Sequence, residues 1–461
     1  MSQVSIGRRS LLKSTALLAA SPAFAQANDG IDWHALAIDV RSEMRWAWGH
    51  YRRLAWGRDE IMPVTGGHSR FSLRDHDLGL SLIEAMDTLW VMGLDAEFAD
   101  ALAWVKVHLD FDVDGEVSVF ETSIRLLGGL LSAYHACGDP LLLAKARDLG
   151  DRLLPAFATP TGMPYRFVNL RTGAIRDPKT NPAEVGTYLP EWGTLSRLTG
   201  DDRYRATAKK AVVAMYDRRS RIGLLADGID ATSGQWFSRR ATVGPPSDSY
   251  YEYLWDAWQL LGDADCKAMY DVLTPAILKW QCVQSDGRTW FNDVDFEEGG
   301  PLTDEQDELA AFYGGLLAQG GATATGAAYT RAWSHVQDKF GILPEGYEYL
   351  GDNPTQVANA LRPELADAAF NLWLLDRSPE WRMVGRTHYL NMKRWNRTRF
   401  GYADIDDITA RPMRLADHCP GYWWSEQMKY YYLLFSDTPR FDYQRNYLTT
   451  EGNVLRGFRR T

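Results

Sequence analysis

Six acidic residues recur along this chain at nearly even steps. Glu121, Glu184, Asp248, Glu308, Glu364 and Glu426 are separated by 63, 64, 60, 56 and 62 residues. Each stands in or near the first turn of an apolar run, as Glu121 does in "VFETSIRLLGGLLSAYHACGD". One acid in that place needs no functional explanation, because a carboxylate at a helix N-terminus gains about 0.3–1 kcal/mol from the helix dipole. Several brought into one mouth would repel one another. Such a group suits paired acid–base work, with one carboxyl protonated and one ionised, or the holding of a cation.

A step near 60 residues is too long for one helix and fits a helical hairpin with its loops. A seventh apolar run, "LSLIEAMDTLWVMGLD", starts at Leu80 and precedes the six. Between the runs, stretches such as "DPLLLAKARDLGDRLLPAF" and "DDRYRATAKKAVVAMYDRR" carry their charges on one face and predict amphipathic helices. Seven buried helices alternating with amphipathic ones predict an all-α chain folded as an (α/α)7 barrel. The inner helices would bring their leading acids to a common mouth. Loops such as "WFNDVDFEEGG", "GQWFSRRATVGPPSDSYY" and "DHCPGYWWSEQ" belong to a chain with 18 Trp and 22 Tyr. They predict exposed rings beside the carboxylates, a setting for the apolar faces and hydroxyls of sugars, while most rings fill the core.

The 461 residues are 45% hydrophobic and 24% charged, an ordinary globular composition. "GRRSLLK" followed by "STALLAASPAFA" reads as an export signal over residues 1–25, with Arg8 and Arg9 resembling a twin-arginine leader and Ala23-Phe24-Ala25 as the cleavage site. Residues 26–461 are then one catalytic domain, exported to a bacterial periplasm or the exterior. Without the leader, 47 basic residues face 60 acidic ones, which disfavours nucleic acid as a partner. No later apolar stretch reaches the length of a membrane span. The four cysteines, Cys137, Cys266, Cys282 and Cys419, form no zinc pattern, and Cys266–Cys282 is a conceivable disulfide beside the alternative of four free thiols.

Seven segments, "HYRRLAWGRDEIMP", "LIEAMDTLWVMGL", "VFETSIRLLGGLLSAY", "AEVGTYLPEWGTLSRLTGD", "SDSYYEYLWDAW", "LRPELADAAFNLW" and "TTEGN", occur in this order between His50 and the chain's C-terminal region. In them the chain resembles the class I α-1,2-mannosidases, glycoside hydrolase family 47. The resemblance implies the same (α/α)7 barrel, dependence on Ca2+, and inverting release of terminal mannose from α-1,2-linked mannosides or high-mannose glycans. It implies Glu121 as general acid, Glu364 as general base and Asp248 as the third catalytic carboxylate and rival proton donor. Arg125 and Arg362 match basic positions that orient these groups, and Glu184 and Asp367 match substrate-binding ones. Thr450 matches the threonine that holds calcium through its hydroxyl and carbonyl, with Glu364, Glu426 and Glu451 fixing the metal's waters. Tyr422, where Phe is usual, is expected to stack on the mannose. A monomer is expected.

Four positions depart from the family pattern. "DELAAFYGG" has no His or Cys where relatives read "HLVCF"; Pro246 replaces an arginine; "TTEGN" replaces "NTEAH"; and Asp367 is shorter than the usual Glu. Two other readings remain at this stage. A lectin-like relative would bind mannose without cleaving it, which the complete set Glu121, Asp248, Glu364 and Thr450 disfavours. A metal-free toroid enzyme such as a sugar epimerase would want paired catalytic histidines, and the nine His show no such pairing.

Overall fold

The computed structural model describes residues 30–443 and 445–457. The export signal expected over residues 1–25 lies outside them. From Trp33 onward the described residues form one compact unit.

The apolar runs become the inner ring. It comprises Leu80–Val91, Gly128–Cys137, Leu189–Thr199, Asp248–Leu261, Tyr313–Gln319, Glu364–Asp376 and Met428–Phe435. Each packs on the next, and Met428–Phe435 packs back on Leu80–Val91, so the ring closes. Outside it lie Trp33–Leu54, Asp95–His108, Pro140–Leu153, Arg203–Tyr216, Ala264–Trp280, Thr323–Phe340 and Pro379–Trp395. Seven inner and seven outer helices make the (α/α)7 barrel. Inner helices are buried on most sides, as apolar runs must be, and outer helices bury one stripe.

The Gly-Asp stops have a local cause. Gly138 ends one helix in the left-handed conformation at φ +73°, and Asp139 starts the next by accepting from the Leu141 amide at 3.0 Å. Gly262 and Asp263 repeat the arrangement, with Asp263 accepting from the Cys266 amide at 3.0 Å. Each such cap contributes about 1 kcal/mol. The double glycine inside "RLLGGLL" serves packing. A Cβ on Gly129 would lie 2.8 Å from Ile83 Cγ2 and 3.1 Å from the Ile83 carbonyl, so only glycine lets these neighbouring inner helices approach so closely.

Periodicity left the short strands unseen. Antiparallel hairpins lie between the helices, among them Glu305–Asp307 paired through Gly346–Glu348 to Asn353–Gln356. The last one, Asn446–Leu448 with Val454–Arg456 and Leu448 opposite Val454, packs against the inner helix Gly128–Cys137. A fully buried ion pair anchors it. Lys429 Nζ sits 2.7 Å from Asp87 and donates to the Gly452 carbonyl, while the Val454 amide donates to Asp87 at 2.9 Å.

One expectation changes, and one open alternative is decided. The tryptophans of the loop motifs do not line the mouth: Trp290, Trp423 and Trp424 are buried against other rings, where their large apolar area is best removed from water. All four cysteines are free, so Cys266 and Cys282 are not paired. Among the described residues no helix is long and apolar enough to cross a membrane.

Candidate active site

The inner helices start at one end of the barrel, and there they surround a cavity of about 300 Å³. Its walls carry Glu121, Arg125, Glu184, Asp248, Arg362, Glu364, Asp367, Tyr422, Glu426, Thr450 and Glu451, so every site residue expected from the sequence meets in this one place. Glu252 also faces in, giving eight carboxylates against two guanidiniums.

Local structure aims these groups. The Glu121 amide is capped by Ser118 Oγ at 3.2 Å, and the helix then widens into a π-turn over Thr122–Leu127. A second π-turn, Trp423–Gln427, carries Glu426. A π-turn inserts a residue and rotates side chains relative to the rest of the helix, a feature that recurs at functional sites. Asp248 and Glu364 open their helices directly. Before Glu364 the chain passes through Leu361, buried and held at φ +55°. A branched residue in the left-handed region is strained, by about 1–3 kcal/mol, and such strain clusters at functional sites.

The two arginines flank Tyr422. Their guanidinium carbons lie 5.4 Å (Arg125) and 5.6 Å (Arg362) from the ring centre, and its hydroxyl donates to the Ala360 carbonyl at 2.5 Å. Arg125 donates to Glu121 at 2.7 Å and to Glu84 at 3.1 Å. Arg362 donates to Glu345 at 3.1 Å. Glu184 accepts from Arg166 at 2.8 Å, and Asp367 from Asn371 at 2.9 Å.

Burial dominates the electrostatics. It raises Asp248 to about 6, against stabilisation of the charged form by the Ser249 amide at 2.9 Å and by Arg362. It raises Glu364 to about 8, opposed chiefly by Arg362, and leaves one Glu364 oxygen without a hydrogen-bond partner. Glu451 is likewise raised to about 8 by burial, and Glu426 is pushed well up by burial and by Glu451.

Thr450 sits at the tip of the C-terminal hairpin. Its amide and hydroxyl donate to Asp256 at 3.1 and 3.3 Å, and its carbonyl accepts from Tyr430 at 3.0 Å. Among the described residues no three His, Cys, Asp or Glu are placed to ligate a metal directly. The residues therefore fit a hard cation held by Thr450 oxygens and by water that the surrounding carboxylates fix, as calcium's preference for six to eight oxygens allows. They do not fit a cation caged by carboxylates.

Sequence reasoning missed Glu84, Glu252, Glu345 and Asp256. All lie away from the first position of an apolar run, and only packing reveals that they face the cavity or its lining residues. Glu252 and Asp256, one and two turns into the helix that Asp248 opens, were legible in principle as acids on the same helical face.

Comparisons with known proteins converge on one family. The sequence pattern of glycosyl hydrolase family 47 matches residues 43–457. The chain is 34% identical to alpha-mannosidase I MNS5 of Arabidopsis thaliana, over 90% of this chain and 76% of that one. It is 33% identical to the mannosyl-oligosaccharide 1,2-alpha-mannosidase IB of Homo sapiens, over 90% and 69%. In fold it resembles the alpha-1,2-mannosidase from Trichoderma reesei, with a TM-score of 0.84 at 23% identity over 92% of this chain and 99% of that one. A cellobiose 2-epimerase from Bacillus thermoamylovorans shares the toroid more distantly, with a TM-score of 0.55 at 9% identity over 87% and 99%. The cavity here has no histidine in its walls.

Proposed function

Because the chain belongs to glycosyl hydrolase family 47, we propose that it releases terminal mannose from α-1,2-linked mannosides, with inversion and with calcium. The observation that carries this reading is the single cavity at the helix N-termini, in which eight carboxylates, two arginines and Thr450 converge. The C-terminal hairpin that carries Thr450 forms part of its floor, which suits a chain end better than the middle of a polymer.

Hydrolysis with inversion needs a protonated carboxyl on the leaving oxygen and a carboxylate behind a water, commonly about 6.5–9.5 Å apart. Asp248 is the better holder of the proton, since burial favours its neutral form. Glu121, the donor expected from the family, is bound to Arg125 and orients the leaving side, so the proton reaches the glycosidic oxygen from Asp248. Glu364 takes the proton of the attacking water, with Arg362 favouring its ionised form. Tyr422, fixed between the two arginines, presents a ring face to the sugar. Calcium, when bound at Thr450, supplies a divalent charge that offsets the crowded carboxylates and gathers water and sugar hydroxyls. The reading of residues 1–25 as an export signal supports an activity outside the cytoplasm, with the scavenging of mannose from glycans as its role.

Proton NMR of the purified protein with α-1,2-mannobiose tests the reading. First appearance of β-mannose, lost with chelator and restored by calcium, is expected. First appearance of α-mannose overturns the pairing of Asp248 and Glu364, and sugar binding without cleavage replaces the enzyme with a lectin.

A further inference from the structure

Behind Thr450 the barrel is not solid. A polar chamber of about 20 Å³ shares the walls Glu252, Asp367 and Thr450 with the active-site cavity. On its other side it shares Trp255, Gln319, Asn371, Tyr447 and Leu448 with a rear cavity of about 360 Å³. The rear cavity lies at the opposite end of the inner helices, bounded by their last turns at Gln259, Gln319 and Leu375, the last half-exposed. Glu364 at the front and Leu375 at the rear belong to one helix, so the two openings stand about 16 Å apart along it.

We infer that this file of cavities is a second approach to the floor of the active site, through which a divalent cation and its water exchange while a glycan fills the mouth. The inference rests on the calcium reading above. The chamber has room for about one water molecule, and its walls present the carboxylates of Glu252, Asp256 and Asp367 and the amides of Gln319 and Asn371. Such oxygens can replace water molecules that a hard cation sheds, the device by which narrow ion pathways stay passable. The mouth, rich in carboxylates, admits a cation when empty, but a bound sugar blocks it and leaves the rear as the remaining approach. At the rear, Trp255 Nε1 donates to Gln319 Oε1 at 2.6 Å beside Leu448, and deeper in the chamber Tyr447 donates to Asp256 at 2.7 Å and Asn371 to Asp367 at 2.9 Å.

Calcium release from the full-length holoprotein into a fluorescent chelator, followed by stopped flow, tests this. It is measured with the mouth empty and with it filled by a non-hydrolysable thio-linked α-1,2-mannobiose. Leu448→Trp should obstruct the rear path and Gln319→Ala should widen it. With the mouth filled, release from Leu448→Trp should be about tenfold slower than from wild type and release from Gln319→Ala several-fold faster. With the mouth empty, both should match wild type, and the equilibrium affinity for calcium should be unchanged. Wild-type release rates from both variants with the mouth filled would overturn the rear approach. Should Leu448→Trp fail to fold, Gln319→Ala decides alone. Absence of stoichiometric calcium in wild type would instead remove the calcium reading, and the rear approach with it.

Discussion

Asp248 and Glu364 are both buried carboxyls, yet burial helps one role and opposes the other. A proton donor gains when burial lifts Asp248 to about 6, because the neutral acid is its working form. Replacing it, Asp248→Asn, should lower kcat by about 10²–10⁴-fold and abolish the fall in kcat/KM as pH rises through 6. Retention of that alkaline limb in the variant would return the proton to Glu121. A general base loses when Glu364 is lifted to about 8, and a divalent cation bound at Thr450 would oppose that shift. The same excess of protons predicts how stability follows pH. Glu364 at about 8, with Asp256 and Asp367 at about 7, all lie above the ordinary carboxylate range because of burial. The folded state therefore holds these protons more tightly than the unfolded chain, and the stabilisation, complete below about pH 4, is lost as pH rises through 7 to 8. In chelator, Tm should fall between pH 5 and pH 8, and calcium should flatten the decline. A Tm that climbs over this range in chelator would contradict the assignment.

Among the elements, the C-terminal hairpin decides whether Thr450 reaches the floor. Its anchor, Lys429 with Asp87, is wholly buried and cannot lose one partner cheaply. Lys429→Met should destabilise the protein by about 3–5 kcal/mol, because Asp87 is left charged and unpaired. It should also weaken calcium binding, which isothermal titration would register. Gly452 is the other constraint. It holds φ +72°, and a Cβ there would lie 2.8 Å from Glu426 Cγ and 2.9 Å from the Ser425 carbonyl. Gly452→Ala should cost about 1–3 kcal/mol in thermal or denaturant unfolding and displace Glu426. If calcium affinity survives Gly452→Ala unchanged, Glu426 does not fix the metal's water.

For the molecule as a whole, the large exposed apolar side chains among the described residues, from Ile38 and Val107 to Phe237, Leu350 and Met383, come from separate stretches of the sequence. With a formal net charge of −10, whose self-repulsion disfavours association, a monomer is the expected result of light scattering across a range of concentrations. A ligand bound only to the folded state at about a thousand times its Kd adds about 4 kcal/mol. Excess chelator should accordingly lower Tm by several degrees at neutral pH, and a Tm indifferent to chelator would speak against a cation inside the barrel.

Much of this protein was legible without coordinates. The near-60-residue step, the apolar runs and the Gly-Asp stops are local properties of the chain, and they determined seven helical pairs, the ring and the end at which Glu121, Asp248 and Glu364 meet. Helix direction does this by itself, since a residue that opens an inner helix must lie at that helix's N-terminal end. What only the tertiary structure decided depends on contacts between residues far apart in the chain. The π-turns that re-aim Arg125 and Glu426, the strained Leu361, the burial that divides Asp248 from Glu364, and the Lys429–Asp87 anchor all arise when separate helices and the last hairpin meet. The tryptophans make the same point in reverse. Their abundance suggested a sugar-binding rim, but packing placed Trp290, Trp423 and Trp424 inside, because a large apolar ring gains more from the core than from the mouth.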